Sequence, residues 1–396
     1  MQTTYIYPLL AFALLSLSGC SKQKQTGLTP WGESITEKSA NGTFPLGDIQ
    51  ESREMIMLTM SGPDTYFEYH GKGLGTQFLI CEKFAQELGV SLRVETCKST
   101  DEMIKRLNDG DADIIAYQIP KSQKGVLHCG YSESKDNSWV VKEGNSELAD
   151  TLNRWFKPDI AEKVRKEERY LFSAQSIHRH VYAPMLNTKT GTISQYDHLF
   201  MRYAQVARWD WRLLAAQCYQ ESCFDPKAYS WAGARGLMQI MPSTAAHLGL
   251  PEEKMHDPEE NIYAATRYIA ELGSHFTDIR NPIERQMFVL ASYNGGFFHI
   301  RDAMSLAKKN GKDPQRWNDV AEYVLKLSTP QYYNDPVVKH GYMRGQETVA
   351  YVERISSRWR QYRGMARGVA PIGPSFNFSP ESDTPHRASH KHRFRL

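Results

Sequence analysis

Apolar and polar positions along this chain change period several times. Residues 54–60, EMIMLTM, form a short apolar run closed by SGPD, the pattern of a buried strand. In GTQFLICEKFAQELG, Phe78, Leu79, Phe84, Ala85 and Leu88 recur at spacings of a helix, with Gly89 as the stop. SLRVETC predicts a second strand. Thr100-Asp101 caps the amphipathic helix DEMIKRLNDG, which ends at Gly110, and DADIIAY predicts a third strand. Strand–helix–strand–helix–strand implies a parallel sheet. WVVKEGN adds a further strand before a closing helix, and PDIAEKVRKEERYLF reads as a charged helix. From Ser194 to Gly364 helical patterns dominate. The predicted fold class is α/β plus all-α: a single sheet lobe over 54–157, a connector over 158–193 and a mainly helical domain over 194–364.

The ends differ from this body. Residues 1–20, MQTTYIYPLLAFALLSLSGC, are mostly apolar from Ile6 to Leu17, too short a run for a bilayer span of roughly 20 residues. They read as a signal peptide, although no Lys or Arg precedes the apolar run. Leu17-Ser18-Gly19-Cys20 resembles a bacterial lipobox, which implies acylation of Cys20 and a lipid anchor in the periplasm. Ser21 favours the outer over the inner membrane by the same resemblance. Residues 21–53 are polar and aperiodic, a tether. Residues 365–396 form a basic tail rich in Gly, Pro, Ser and His, either disordered or in contact with anionic lipid or wall polymer.

Composition narrows the function classes. A formal net charge of +3 gives no case for a nucleic-acid partner. After Cys20, five cysteines remain, so at least one is unpaired within the chain. The Cys-x₄-Cys of CYQESC (218–223) lacks the second ligand pair of a zinc site, so no metal and no cofactor is expected. A Cys218–Cys223 disulfide requires the helix to end near Ser222, because five residues of continuous helix hold the Cα atoms about 8–9 Å apart.

The candidate chemistry lies in WDWRLLAAQCYQESCF. Asp210 is a plausible N-cap, and Leu214, Cys218 and Glu221 share one helix face. Glu221 thus combines an apolar stripe with the negative end of a helix, and both raise a carboxyl pKa toward the range of a general acid. A capping or salt-bridged glutamate is the plainer alternative for this stretch alone.

ESCFDPKAYSWAGARGLMQIMPSTA, with ASYNGG (291–296) and ETVAYVERI (347–355), resembles the ordered motifs of the soluble lytic transglycosylase family, the lysozyme-like muramidases. The resemblance implies Glu221 as the single catalytic acid/base and Ser222 as its sugar-contacting neighbour. It implies Met238 and Gln239 as cleft-lining residues, Tyr293 and Asn294 as substrate-orienting residues, and Tyr351 as the tyrosine facing the acid. Its substrate would be the glycan strands of peptidoglycan. Most glycosidases use two carboxylates, and the motifs offer no convincing second one; Asp225 is the nearby candidate, in a turn. The family mechanism is substrate-assisted: Glu221 protonates the bridging oxygen, the N-acetyl group stabilises C1, and the C6 hydroxyl closes to a 1,6-anhydro sugar.

Residues 54–157 resemble the first lobe of a periplasmic solute-binding protein of the amino-acid-binding type, through TYFEYHGKGLGTQFLICEKFAQELGVSLRVE and DGDADIIAY. The family's second lobe and its ligand-gripping Arg are absent. That leaves a structural or partner-docking role for this lobe. Competing readings are a hydrolase of the goose-lysozyme kind, a non-enzymatic wall-binding scaffold and a solute sensor.

Overall fold

The computed structural model describes residues 46–365. Cys20, the signal peptide, most of the tether and the basic tail lie outside the described residues. The first element corrects the tether's extent: α1 (Leu46–Ser52) is a helix whose Leu46 and Ile49 are buried.

The sheet lobe follows in the expected alternation. Its elements are β1 (Glu54–Thr59), β2 (Phe67–Tyr69), β3 (Lys72–Leu74), α2 (Thr76–Leu88), β4 (Ser91–Thr96), α3 (Thr100–Asp109), β5 (Ile114–Pro120), β6 (Val126–Cys129), β7 (Asn137–Lys142) and α4 (Ser146–Trp155). The main sheet runs in the order β4-β1-β5-β7-β6. It is parallel across β4, β1 and β5. β7 joins β5 antiparallel, and β6 joins β7 antiparallel. The β6–β7 pairing follows from a short connection: only residues 130–136 separate the two strands, far too few for the crossover a parallel neighbour needs. Gly110 ends α3 in the left-handed conformation, as its sequence predicts, but the cap is Ser99, accepting from Glu102 N, one residue before the expected Thr100-Asp101. The two sheet faces are covered separately. Met55, Met57, Phe84 and Trp139 pack on one side, and Leu58, Met103, Leu107 and Val140 on the other.

α5 (Pro158–Leu171) and β8 (Ile177–His178) lead out of the lobe. The helical part comprises α6 (Asp197–Ala207), α7 (Trp211–Ser222), the short strand β9 (Tyr229–Ser230), α8 (Pro242–His247), α9 (Pro258–Ser274), α10 (Pro282–Gly295), α11 (Phe297–Lys309), α12 (Trp317–Lys326), α13 (Pro330–Tyr333) and α14 (Gly345–Met365). β8 pairs with β9, so the connector is tied to the helical part by backbone. One continuous apolar core holds these helices, with Phe200, Leu214, Phe276, Phe288 and Ile355 fully buried in it. A smaller cluster joins the two parts: Phe67 and Leu74 of the β2–β3 hairpin pack on Tyr342.

Candidate active site

α7 positions the central carboxylate. Asp210 begins it, accepting from Arg212 N at 3.0 Å, and Trp359 Nε1 donates to its other oxygen at 3.2 Å. The helix ends directly after Glu221-Ser222, where Cys223 and Phe224 both take the left-handed conformation with φ of 52° and 64°. Such angles are costly for non-glycine residues and need support from the surroundings. Arg179 supplies some of it, donating to Glu221 O at 2.8 Å and to Gln220 O at 3.4 Å. These are carbonyls that a helix end leaves open.

Glu221 faces a cavity of 480 Å³ that lies between the helical part and the sheet lobe. Gln239, Tyr293, Asn294 and Tyr351 line it with Glu221. Tyr351 Oη donates to Glu221 Oε1 at 2.5 Å. Tyr293 Oη donates to Met238 O at 2.8 Å. Asn294 Oδ1 accepts from Thr348 Oγ1 at 2.7 Å, and its amide nitrogen takes no protein partner among the described residues. Gln239, at φ 47°, donates to Gly236 O and Ala228 O. Gly236 has no substitute in this loop: at φ 79° an added Cβ would lie 2.3 Å from Met255 O. Gly295 is held as closely, with a Cβ position 2.6 Å from Thr348 Oγ1.

Two expected contact residues are placed elsewhere. Ser222 is fully buried and donates to Cys218 O at 3.2 Å, away from the cavity lining. One residue beyond Glu221 is a turn of about 100°, onto the core face of the same helix. Met238 is also buried, and meets the site through its backbone carbonyl. The disulfide is absent: Cys218 and Cys223 are both free, and the Cys218 thiol points to Leu237 O at 3.4 Å instead. Asp225 serves structure, with its oxygens accepting from His180 N at 2.6 Å and Lys227 N at 2.9 Å.

Burial pushes the Glu221 carboxyl up to about 7, against the hydrogen bond from Tyr351 and the attraction of His70 and Arg179. Burial and the nearby Glu221 charge hold the Tyr351 phenol far above its usual range, so it remains a donor.

A second carboxylate corrects the sequence reading. Glu347, in the first turn of α14, lines the same cavity. Its Oε2 accepts from Tyr69 Oη at 2.6 Å, and His70 Nε2 lies 3.9 Å from its Oε1. Burial raises its pKa, but His70 and Tyr69 outweigh that, and Arg344 assists, so Glu347 sits below the ordinary glutamate range. The Arg344 guanidinium in turn lies 3.6 Å over the ring of Phe172. Sequence reasoning missed Tyr69, His70, Phe172, Arg179, Trp231, Glu347 and Arg354, all of which line the cavity. Glu347 carried a signal, because it stands one helical turn before Tyr351 on the same face. Among the described residues no cluster of three or more His, Cys, Asp or Glu side chains could hold a metal ion.

Comparison with known proteins sets this geometry in context. The Transglycosylase SLT domain model matches residues 198–316. The membrane-bound lytic murein transglycosylase F of Desulfosudis oleivorans is 28% identical, with 78% of this chain and 90% of that protein covered. The protein of the same name from Citrobacter koseri is 28% identical over 78% of this chain and 79% of its own length. The chain carries a lytic transglycosylase domain. In this transglycosylase the matched segment carries Glu221, Gln239, Tyr293 and Asn294, while Tyr351 and Glu347 lie beyond it. The likeness to the relatives named above extends beyond the matched segment, since it covers most of the chain. Among solved structures, the soluble lytic transglycosylase SLT70 of Escherichia coli is 28% identical with a TM-score of 0.32, over 42% of this chain and 24% of that one. A mutant of domain 1 from TmArgBP, in its arginine-bound form, is 16% identical with a TM-score of 0.26, over 31% of this chain and 98% of its own.

Proposed function

We propose that this transglycosylase cuts the MurNAc-β-1,4-GlcNAc bond of peptidoglycan and leaves a 1,6-anhydro-MurNAc end, with Glu221 as the only acid and base. The observation that carries the reading is the state of Glu221. A carboxyl held near 7 is protonated in a large fraction of molecules at neutral pH, as a general acid must be, and can still act as a base afterwards. In this scheme Glu221 gives its proton to the bridging oxygen as the C1–O bond breaks. The N-acetyl oxygen of MurNAc stabilises C1. The carboxylate then removes the proton of the C6 hydroxyl, whose oxygen bonds to C1. The proton returns to Glu221, and no water is consumed. Tyr351 steadies the carboxylate form between the two transfers, and Gln239, Tyr293 and Asn294 orient the sugar. Cys20, acylated, would hold the enzyme at the outer membrane facing its polymer, with the tether setting its reach.

Glu347 supports a second reading. An ionised carboxylate in the same cavity is what a two-carboxylate hydrolase uses. Its engagement by Tyr69 and His70 favours a positioning role instead. Mass spectrometry of digested peptidoglycan separates the two. Anhydro-muropeptides are expected; reducing ends alone would establish the hydrolase.

A further inference from the structure

His70 and Gly71 alone join β2 to β3, with φ of 47° and 68°. The strand pairs are Tyr69 with Lys72, Glu68 with Gly73, and Phe67 with Leu74. Positive φ at both loop positions matches a type I′ turn, the tightest hairpin connection. Strands of three residues do not hold a hairpin in place by themselves. This one is fixed at its base by Tyr342 against Phe67 and Leu74, and at its tip by the Tyr69–Glu347 hydrogen bond at 2.6 Å. The His70 ring stands edge-on to Tyr69, centroids 4.2 Å apart.

A second cavity of 230 Å³ adjoins the 480 Å³ cavity at Glu221. Five residues line both: Gln239, Met241, Tyr293, Asn294 and His70. Four of the five belong to the helical part and form one unbroken floor. The fifth comes from the hairpin opposite, whose Glu68 and Gly71 also line the second cavity. On the helical side there is one groove; the hairpin tip divides it in two.

We propose that the Tyr69–His70 tip is a specificity-determining stop in the glycan groove. It limits the sugars that can be seated beyond Asn294, so that cutting begins near a strand end. This rests on the glycan-cleaving reading above. A continuous strand has to pass the anchored turn, and threading under it is not open to a long polymer. A free end enters from the Glu221 side and halts at His70. The sheet lobe thereby takes part in the reaction.

The test uses the full-length protein on end-labelled glycan strands of mixed length, with product sizes read at early times. His70→Asn removes the ring but leaves Asn-Gly, the pair that type I′ turns favour most. Tyr69→Phe cuts the tie to Glu347 and serves as the second variant should the first fail to fold. Wild type is expected to release one class of short products from the outset. Both variants are expected to raise the share of long internal fragments about ten-fold, the scale of steric discrimination in a pocket. Identical size distributions in wild type and variants, or long fragments from wild type at the outset, would overturn the stop. Wild type that cuts no glycan at all would overturn the cleavage reading with it.

Discussion

Two helix ends meet at one cavity and treat the same side chain in opposite ways. Glu221 closes α7, where burial outweighs the Tyr351 hydrogen bond and the attraction of His70 and Arg179; it is pushed up to about 7, and the negative end of the helix favours the same direction. Glu347 opens α14, where the dipole is positive and Tyr69 and His70 reach its oxygens; it is held below its usual range. α7 and α14 pack against each other, so the two ends are fixed in relation. The difference teaches that a buried carboxylate's state here follows from how many donors and cations reach it against the burial that both share. The chemical identity of the residue alone does not decide it.

The sharpest way to break the comparison is Glu221→Gln. It keeps shape and removes the proton, and should lower turnover about 10³-fold, within the range for a general acid–base group. Binding to sacculi should persist; measurable lysis at the wild-type rate would end the assignment. Glu347→Gln comes next. As a positioning residue it should cost about ten-fold, the size of one hydrogen bond to a charged group. A loss as large as that of Glu221→Gln would make Glu347 a reacting carboxylate and favour hydrolysis.

Tyr351→Phe tests the environment of the acid. The phenol favours the ionised carboxylate, so its removal should raise the Glu221 pKa. Activity that needs the protonated acid declines as pH rises through about 7 in wild type. In the variant that decline should move to higher pH, with a lower maximum, as read from a pH–rate profile. The smallest effect is expected for His70→Asn in the same assay. Loss of the His70 attraction also raises the Glu221 pKa, by less than loss of the Tyr351 hydrogen bond. A decline displaced to lower pH would contradict the charge arrangement at the cavity.

Local signals were legible where the physics is local. The Gly110 stop and the Asp210 cap each involve neighbours within a few positions, and the α3 cap expected at Thr100-Asp101 lies only one residue away, at Ser99. The alternation of strands and helices was readable for the same reason. Glu221, Gln239, Tyr293, Asn294 and Tyr351 were legible as a motif set, and the structure brings them to one cavity. Ser222 and Met238 follow the same motifs, but their side chains face the core. That is a matter of rotation about the chain, which a motif does not record. The hairpin was hidden for a different reason. Tyr-His-Gly-Lys marks a tight turn, yet its partner Glu347 lies 278 positions away. No local pattern specifies where such a turn lands.

That separation also sets an order of events. Glu221 is made early in the chain's second half, but its phenol and the second carboxylate both arrive with α14, the last helix of the described residues. Closing so long a loop is an entropic cost borne only when the rest is folded. A partly synthesised molecule that stops before Gly345 carries the acid without Tyr351 and leaves the hairpin without its tether. The site is therefore complete only once α14 has been made and has packed against α7.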